Sequence, residues 1–159
     1  MSIDKPKTIM IEFNKLLDLA QRLSFFSTMK SHEITRVLRQ LNGDIFVYEK
    51  DNLIIKEGEK DCDFFIILSG EVTVIKGKEA YGSVGTIKAG DFFGEISFIV
   101  HTPRLATIIA AEKTIVLRLS EANFTSLEPA IQLQIKDKII QKLVSRLHLM
   151  NQMVLKLKP

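Results

Sequence analysis

The sequence predicts an α+β chain that is mainly β: an antiparallel jelly-roll β-roll, with helices before it, one short helix within it and a long helix after it. Three observations carry this expectation. The apolar period is helical up to about residue 44, gives way to short β runs from 45 to 119, and turns helical again from 120 to 159. Turn residues cut the β runs at close intervals, at Ser69-Gly70-Glu71, Lys76-Gly77-Lys78-Glu79, Tyr81-Gly82-Ser83 and Lys88-Ala89-Gly90-Asp91. Many short strands marked off by glycines suit an antiparallel sandwich or jelly roll.

Taken in order, Phe13, Leu16, Leu17, Ala20 and Leu23, then Ile34, Val37, Leu38 and Leu41, recur at helical spacing. They predict two helices between about Met10 and Leu41, joined by an elbow over Ser24–Lys30. Ser31 is the expected N-cap of the second helix, and Asn42-Gly43 its stop. Phe64–Leu68 and Val72–Ile75 flank Ser69-Gly70-Glu71 and read as a hairpin. Ala106–Ala111 and Ile115–Leu119 follow as two more strands. Ser120 is a good N-cap for a short helical turn carrying Ala122 and Phe124. Pro129 suits the first turn of a helix running to about Leu157. The segments 1–44, 45–119 and 120–159 are thus helical, β-roll and helical parts of one domain.

Composition narrows the function. A chain of 159 residues, 46% apolar and 26% charged, is the size and balance of one soluble domain with a substantial core. No window reaches the roughly 18–20 apolar residues that span a bilayer, so no membrane partner is expected. The start, Met1-Ser2-Ile3-Asp4-Lys5-Pro6, lacks the order of a secretory signal. The single cysteine, Cys62, forms no internal disulfide and builds no structural zinc site, and a cytoplasmic location is expected. His32, His101 and His148 show no metal-binding spacing. Net charge is only +3, with basic residues gathered at Lys136, Lys138, Lys142, Arg146, Lys156 and Lys158, and no aromatic follows Phe124. That pattern gives nucleic acid little support as a partner.

The chemistry concentrates between residues 92 and 107. Gly94 allows close backbone approach to a ligand. Glu95–Ile99 is long enough for one helical turn, whose first N–H groups point at an anion. Arg104 follows Pro103 and precedes the apolar Ala106, Ile108 and Ile109, a setting in which a guanidinium is costly to bury unless an anion meets it. Two parallel hydrogen bonds from a guanidinium suit a phosphate. A carboxylate at Glu95 suits a hydroxyl donor such as a ribose 2′-OH. Together they describe a nucleotide site.

Gly94-Glu95-Ile96-Ser97 followed by Thr102-Pro103-Arg104-Leu105-Ala106-Thr107 resembles the phosphate-binding cassette of cyclic-nucleotide-binding domains, the family of protein kinase A regulatory subunits and bacterial catabolite activators. The resemblance extends through Glu57-Gly58-Glu59, Asp61, Phe64–Val72 and Gly90–Glu95, and includes Leu23–Ser27. It implies that Arg104 pairs with the cyclic phosphate and that Glu95 accepts from the ribose 2′-OH. Backbone N–H groups of Ile96, Ser97 and Leu105 complete the cradle, with Ala106 beside it and Gly94 shaping its entrance. Cyclic GMP-selective members often carry Thr or Ser after the arginine; Leu105 favours cAMP over cGMP. The chain departs from the family at Asp51, where glycine is usual, though Asp tolerates turn conformations. No Trp or Tyr in the C-terminal helix is there to cap an adenine.

The resemblance implies a stand-alone regulatory module rather than an enzyme. Ser97 has no histidine near it in sequence to make it a nucleophile, and no other catalytic constellation appears. Ile140, Leu143, Leu147, Met150, Val154 and Leu157 alternate spacings of three and four, the pattern of a helix seam. That seam either packs on the roll or joins a second copy; an effector protein is the other expected recipient of the signal. The alternatives are an interaction protein that has kept the fold and lost the ligand, or a catabolite-activator-like regulator without its DNA-binding domain, for which the residues after the long helix leave no room.

Overall fold

The computed structural model describes residues 5–77 and 83–159. Met1–Asp4 and the turn residues Lys78-Glu79 and Tyr81-Gly82 lie outside the described residues. Two compact units divide after Ser126.

In the first unit the residues at helical spacing form α1 (Phe13–Gln21) and α2 (Ser31–Leu41), with a 3-10 turn at Ser24–Phe26 between them. Leu16, Ala20, Ile34, Val37, Leu38 and Leu41 are buried, as their period requires. Ser31 is not the cap. The Glu33 carboxylate reaches back to accept from the Lys30 N–H at 3.1 Å, so the helix begins with Ser31 as its first residue. Helix α2 gives way to a 3-10 turn at Asn42–Asp44, close to the expected stop.

The β region holds nine strands: β1 (Lys7–Thr8), β2 (Ile45–Tyr48), β3 (Leu53–Ile55), β4 (Phe64–Ser69), β5 (Glu71–Ile75), β6 (Ser83–Lys88), β7 (Phe92–Phe93), β8 (Thr107–Ala110) and β9 (Thr114–Leu119). They make two antiparallel sheets, β1-β2-β9-β4-β7 and β3-β8-β5-β6. Tyr48, Phe65, Ile67, Phe93 and Val116 from the first sheet pack with Ile55, Val72, Ile87, Ile108 and Ala110 from the second. This two-sheet core is the roll that the sequence predicts. Phe64, Ile66 and Leu68, on the opposite face of β4, are buried as well, and the Phe64 ring makes tilted contacts with Phe25 and Phe98. The run Phe64–Leu68 is continuously apolar because both faces of β4 are covered.

The expected hairpin at Ser69-Gly70-Glu71 does not form. Strand β4 pairs with β7 and β9, whereas β5 pairs with β6 and β8, so the chain changes sheets at Gly70. Gly70 has φ +95°, and a Cβ there would stand 2.6 Å from the Lys113 carbonyl oxygen. That crowding marks a corner between sheets rather than a two-strand ribbon. Asp51, expected to tolerate a turn, takes up the left-handed conformation at φ 70°; its N–H donates to Ala110 O at 2.8 Å, and the buried Asn52 side chain closes the turn on the Glu49 N–H at 2.9 Å.

Two short helices complete the unit. Helix α3 (Glu95–Val100) follows β7, and α4 (Glu121–Ser126) follows β9. Ser120 caps α4 as expected, its Oγ accepting from the Asn123 N–H at 3.2 Å. The second unit is α5 (Pro129–Leu157), with Pro129 in its first turn and the Glu128 carbonyl accepting from the N–H groups of Ile131 and Gln132. Among the described residues no helix is long and apolar enough to cross a membrane.

Candidate functional site

The segment 57–63 and Gly94 meet at Arg104. Its backbone is pinned first: the Arg104 N–H donates to Glu59 O at 2.8 Å, and the Gly58 N–H donates to Arg104 O at 2.9 Å. The Glu57 N–H donates to Thr107 Oγ1 at 3.0 Å, tying the same strip to the start of β8. The Glu57-Gly58-Glu59 motif therefore holds the arginine in place.

The side chain is buried, with 2% of its surface exposed. Its Nε donates to Asp61 Oδ1 at 3.1 Å and one terminal nitrogen donates to Asp61 Oδ2, a bidentate pair. The same terminal nitrogen donates to Asp63 O at 2.7 Å, and the other donates to Gly94 O at 3.3 Å. The guanidinium also lies 6.0 Å from the Phe65 ring centre. A guanidinium has five N–H donors; these contacts occupy four, leaving the second hydrogen on the nitrogen that faces Gly94.

Gly94 is fixed by this packing. It caps α3 at φ +83°, and a Cβ there would come 2.8 Å from Asp63 O and 2.9 Å from the Arg104 terminal nitrogen. Glu95 and Ser97 are buried at the start of α3, and Ile96 is half-buried. Leu105 is 45% exposed, while Ala106 is half-buried. His101 ends α3 in a left-handed conformation, its N–H donating to Ser97 O at 2.9 Å, so it serves as a terminator. Among the described residues no cluster of three or more His, Cys, Asp and Glu suits a metal ion.

Sequence reasoning named Asp61 only as part of a motif. The structure makes it the anion that meets Arg104, and the Asp-Cys-Asp step just before β4 is the signal that marks it. Asp63 supplies its carbonyl to Arg104 and its carboxylate to the surroundings of Arg118. Burial, reinforced by Asp61 and Asp44 and opposed by Arg118 and Arg104, pushes the Asp63 carboxyl above the usual carboxylate range. The Tyr48 hydroxyl, pushed up to about 12 mainly by burial, belongs to the same neighbourhood, since Arg118, Asp61 and Asp63 all act on it.

With a buried arginine beside a glycine-capped short helix on a two-sheet roll, the comparisons with known proteins are specific. The family model described as cyclic nucleotide-binding domain matches residues 45–128. The chain belongs to the cyclic nucleotide-binding domain family. It is 32% identical over 125 residues to a cAMP-dependent protein kinase regulatory subunit of Debaryomyces hansenii, covering 76% of this chain and 27% of that protein. It is 33% identical over 126 residues to the Pycsar effector protein PaPycTIR of Pseudomonas aeruginosa, covering 79% of this chain and 39% of that one. The chain thus spans well under half the length of these relatives. Its fold matches the crystal structure of a cyclic nucleotide-binding domain from Methylobacillus flagellatus with a TM-score of 0.75 at 23% identity, over 92% of this chain and 84% of that one. Within a cyclic nucleotide-binding domain, the cassette residues 92–107 fall inside the matched segment.

Proposed function

We propose that this chain is a cAMP-binding regulatory module in which Arg104 meets the cyclic phosphate and Glu95 accepts from the ribose 2′-OH. Backbone N–H groups of Ile96, Ser97, Leu105 and Ala106 line the phosphate, and Gly94 keeps the entrance clear. The observation that carries this reading is the burial of Arg104 against Gly94 O, which sets the cation beside the first turn of α3 with one N–H still to give. A charge-assisted hydrogen bond to phosphate contributes about 1.5–3 kcal/mol. Leu105 offers no hydroxyl to a guanine, which supports cAMP over cGMP.

Occupancy passes from this site to a partner, through a shift in the populations of two arrangements. On α5, Ile140, Leu147, Met150, Val154 and Leu157 are exposed and lie on the three-four repeat, which supports a second copy pairing through this helix. An effector protein is the other recipient the reading allows. The chain itself performs no chemistry in this reading, and a cytoplasmic setting suits its ligand.

A second reading has one observation in its favour: Asp61, Asp63 O and Gly94 O already satisfy most of the Arg104 guanidinium. A protein that had kept the fold as an interaction module would need no more. Calorimetric titration of nucleotide-stripped protein with cAMP and with cGMP separates the two. Binding of cAMP in preference to cGMP supports the module; a folded protein that binds neither supports the second reading.

A further inference from the structure

Asp63 serves two arginines at once. Its carbonyl takes Arg104 at 2.7 Å, and its carboxylate stands 3.8 Å from Arg118 Nε. Arg118 lies on β9 directly across from Phe65 on β4, so the two share the inner face of the sheet, and Phe65 is the ring beside the Arg104 guanidinium. A terminal nitrogen of Arg118 donates to Asp44 Oδ1 at 2.8 Å, and its guanidinium lies 4.6 Å from the Phe46 ring centre. Asp44 Oδ2 in turn accepts from Asn123 Nδ2 of α4 at 2.8 Å. Arg118 Nε is buried and makes no hydrogen bond among the described residues. Three carboxylates, Asp44, Asp61 and Asp63, thus share two guanidinium groups, and a phosphate would add another negative charge to this set.

We propose that Arg118 is a positioning residue for the anion site: it holds Asp63 and offsets the carboxylate charge behind Arg104, so that the Arg104 guanidinium keeps attraction to spare for a cyclic phosphate. The inference rests on Arg104 being the phosphate site and adds to it a residue outside the cassette. Without Arg118 the Asp63 carboxylate keeps only Arg104 as a compensating cation, next to the backbone that holds that arginine. The charged groups acting on Asp63 are Arg118, Asp61, Arg104 and Asp44, with burial as the largest influence. Arg118 draws its pKa down, so loss of Arg118 raises it further and makes acid the remedy for the lost charge.

The test is titration of the full chain with cAMP between pH 5 and pH 8 for wild type, Arg118→Met, Arg118→Lys, Asp63→Asn and the Arg118→Met, Asp63→Asn double variant, with circular dichroism to confirm folding. Arg118→Met is expected to weaken cAMP binding roughly three- to tenfold near pH 8. That deficit shrinks as the pH falls and Asp63 takes up a proton. Arg118→Lys keeps most of the affinity, and the double variant returns to within about twofold of wild type. Asp63→Asn alone, with Arg118 intact, binds cAMP about threefold more tightly. A structural tie alone would leave Arg118→Met weakened with no rescue by Asp63→Asn, and that result overturns the proposal. If Arg118→Met does not fold, unchanged or weaker binding by Asp63→Asn overturns it instead. Wild type that binds no cyclic nucleotide removes the phosphate-site reading beneath it, an outcome distinct from wild-type binding that Arg118 does not affect.

Discussion

Gly58 and Gly94 share nearly the same backbone, at φ +88° and +83°, yet replacing each by alanine should have different consequences. In the left-handed region an alanine costs about 1–2 kcal/mol through its Cβ alone. At Gly58 that is the whole effect, because nothing lies within 4 Å of the added carbon. At Gly94 the carbon would stand 2.8 Å from Asp63 O and 2.9 Å from the Arg104 nitrogen, and neither neighbour gives way easily. Asp63 O is backbone leading into β4, and four hydrogen bonds hold the Arg104 end. Crowding of this kind adds about 1–3 kcal/mol. Gly58→Ala should therefore lower Tm by about 2–8 °C and Gly94→Ala by about 4–20 °C, at roughly 2–4 °C per kcal/mol for a chain of this size, with Gly94→Ala the larger loss. Thermal unfolding gives the first comparison and cAMP titration the second. Gly94→Ala is expected to lose at least about tenfold in affinity, a shift of about 1.4 kcal/mol, while Gly58→Ala stays close to wild type. Equal losses of stability at the two positions, or full cAMP affinity in Gly94→Ala, would refute the packing argument.

Two further outcomes follow from the same geometry. Leu105→Thr places a hydroxyl at an exposed position after Arg104, and the ratio of cGMP to cAMP affinity should rise about fivefold, the worth of one hydrogen bond near 1 kcal/mol; competition between the two nucleotides reads it, and an unchanged ratio speaks against Leu105 as the discriminator. The Tyr48 hydroxyl ionises near 10.0 in the unfolded chain but at about 12 in the folded one, so its contribution to stability is complete below pH 10 and is lost as the pH rises through about 12. Tyr48→Phe should accordingly lose less stability than wild type over that alkaline range in urea unfolding; parallel losses would contradict the burial argument.

Much of this molecule is legible before its coordinates. The helical period of Ile34, Val37, Leu38 and Leu41 places α2, and the uninterrupted Phe64–Leu68 run places β4, which the structure covers on both faces. Gly94 and Arg104 stand out through their chemistry, and the structure brings them into contact. Four features were less visible. Glycine at position 70 signals a turn equally well whether the next strand pairs with the last or crosses to another sheet, and only the pairing of β4 with β9 decides it. Ser31 looks like a cap by residue type, but the longer reach of Glu33 sets the boundary. A buried Arg104 needs an anion, but its sequence neighbours do not say whose, and Asp61 answers first from forty-three residues away. Arg118 gave no local sign at all, because its neighbours Asp44, Asp63 and Phe46 come from separate parts of the chain.

The central claim is that the Arg104 guanidinium binds the phosphate of a cyclic nucleotide although Asp61 already holds it. Calorimetric titration of cAMP into nucleotide-stripped wild type and Arg104→Ala tests it most directly, with circular dichroism confirming that the variant folds. Loss of the arginine–phosphate contact should cost about 2–4 kcal/mol, roughly 30- to 1,000-fold in affinity. A folded Arg104→Ala that binds cAMP as tightly as wild type would contradict the account.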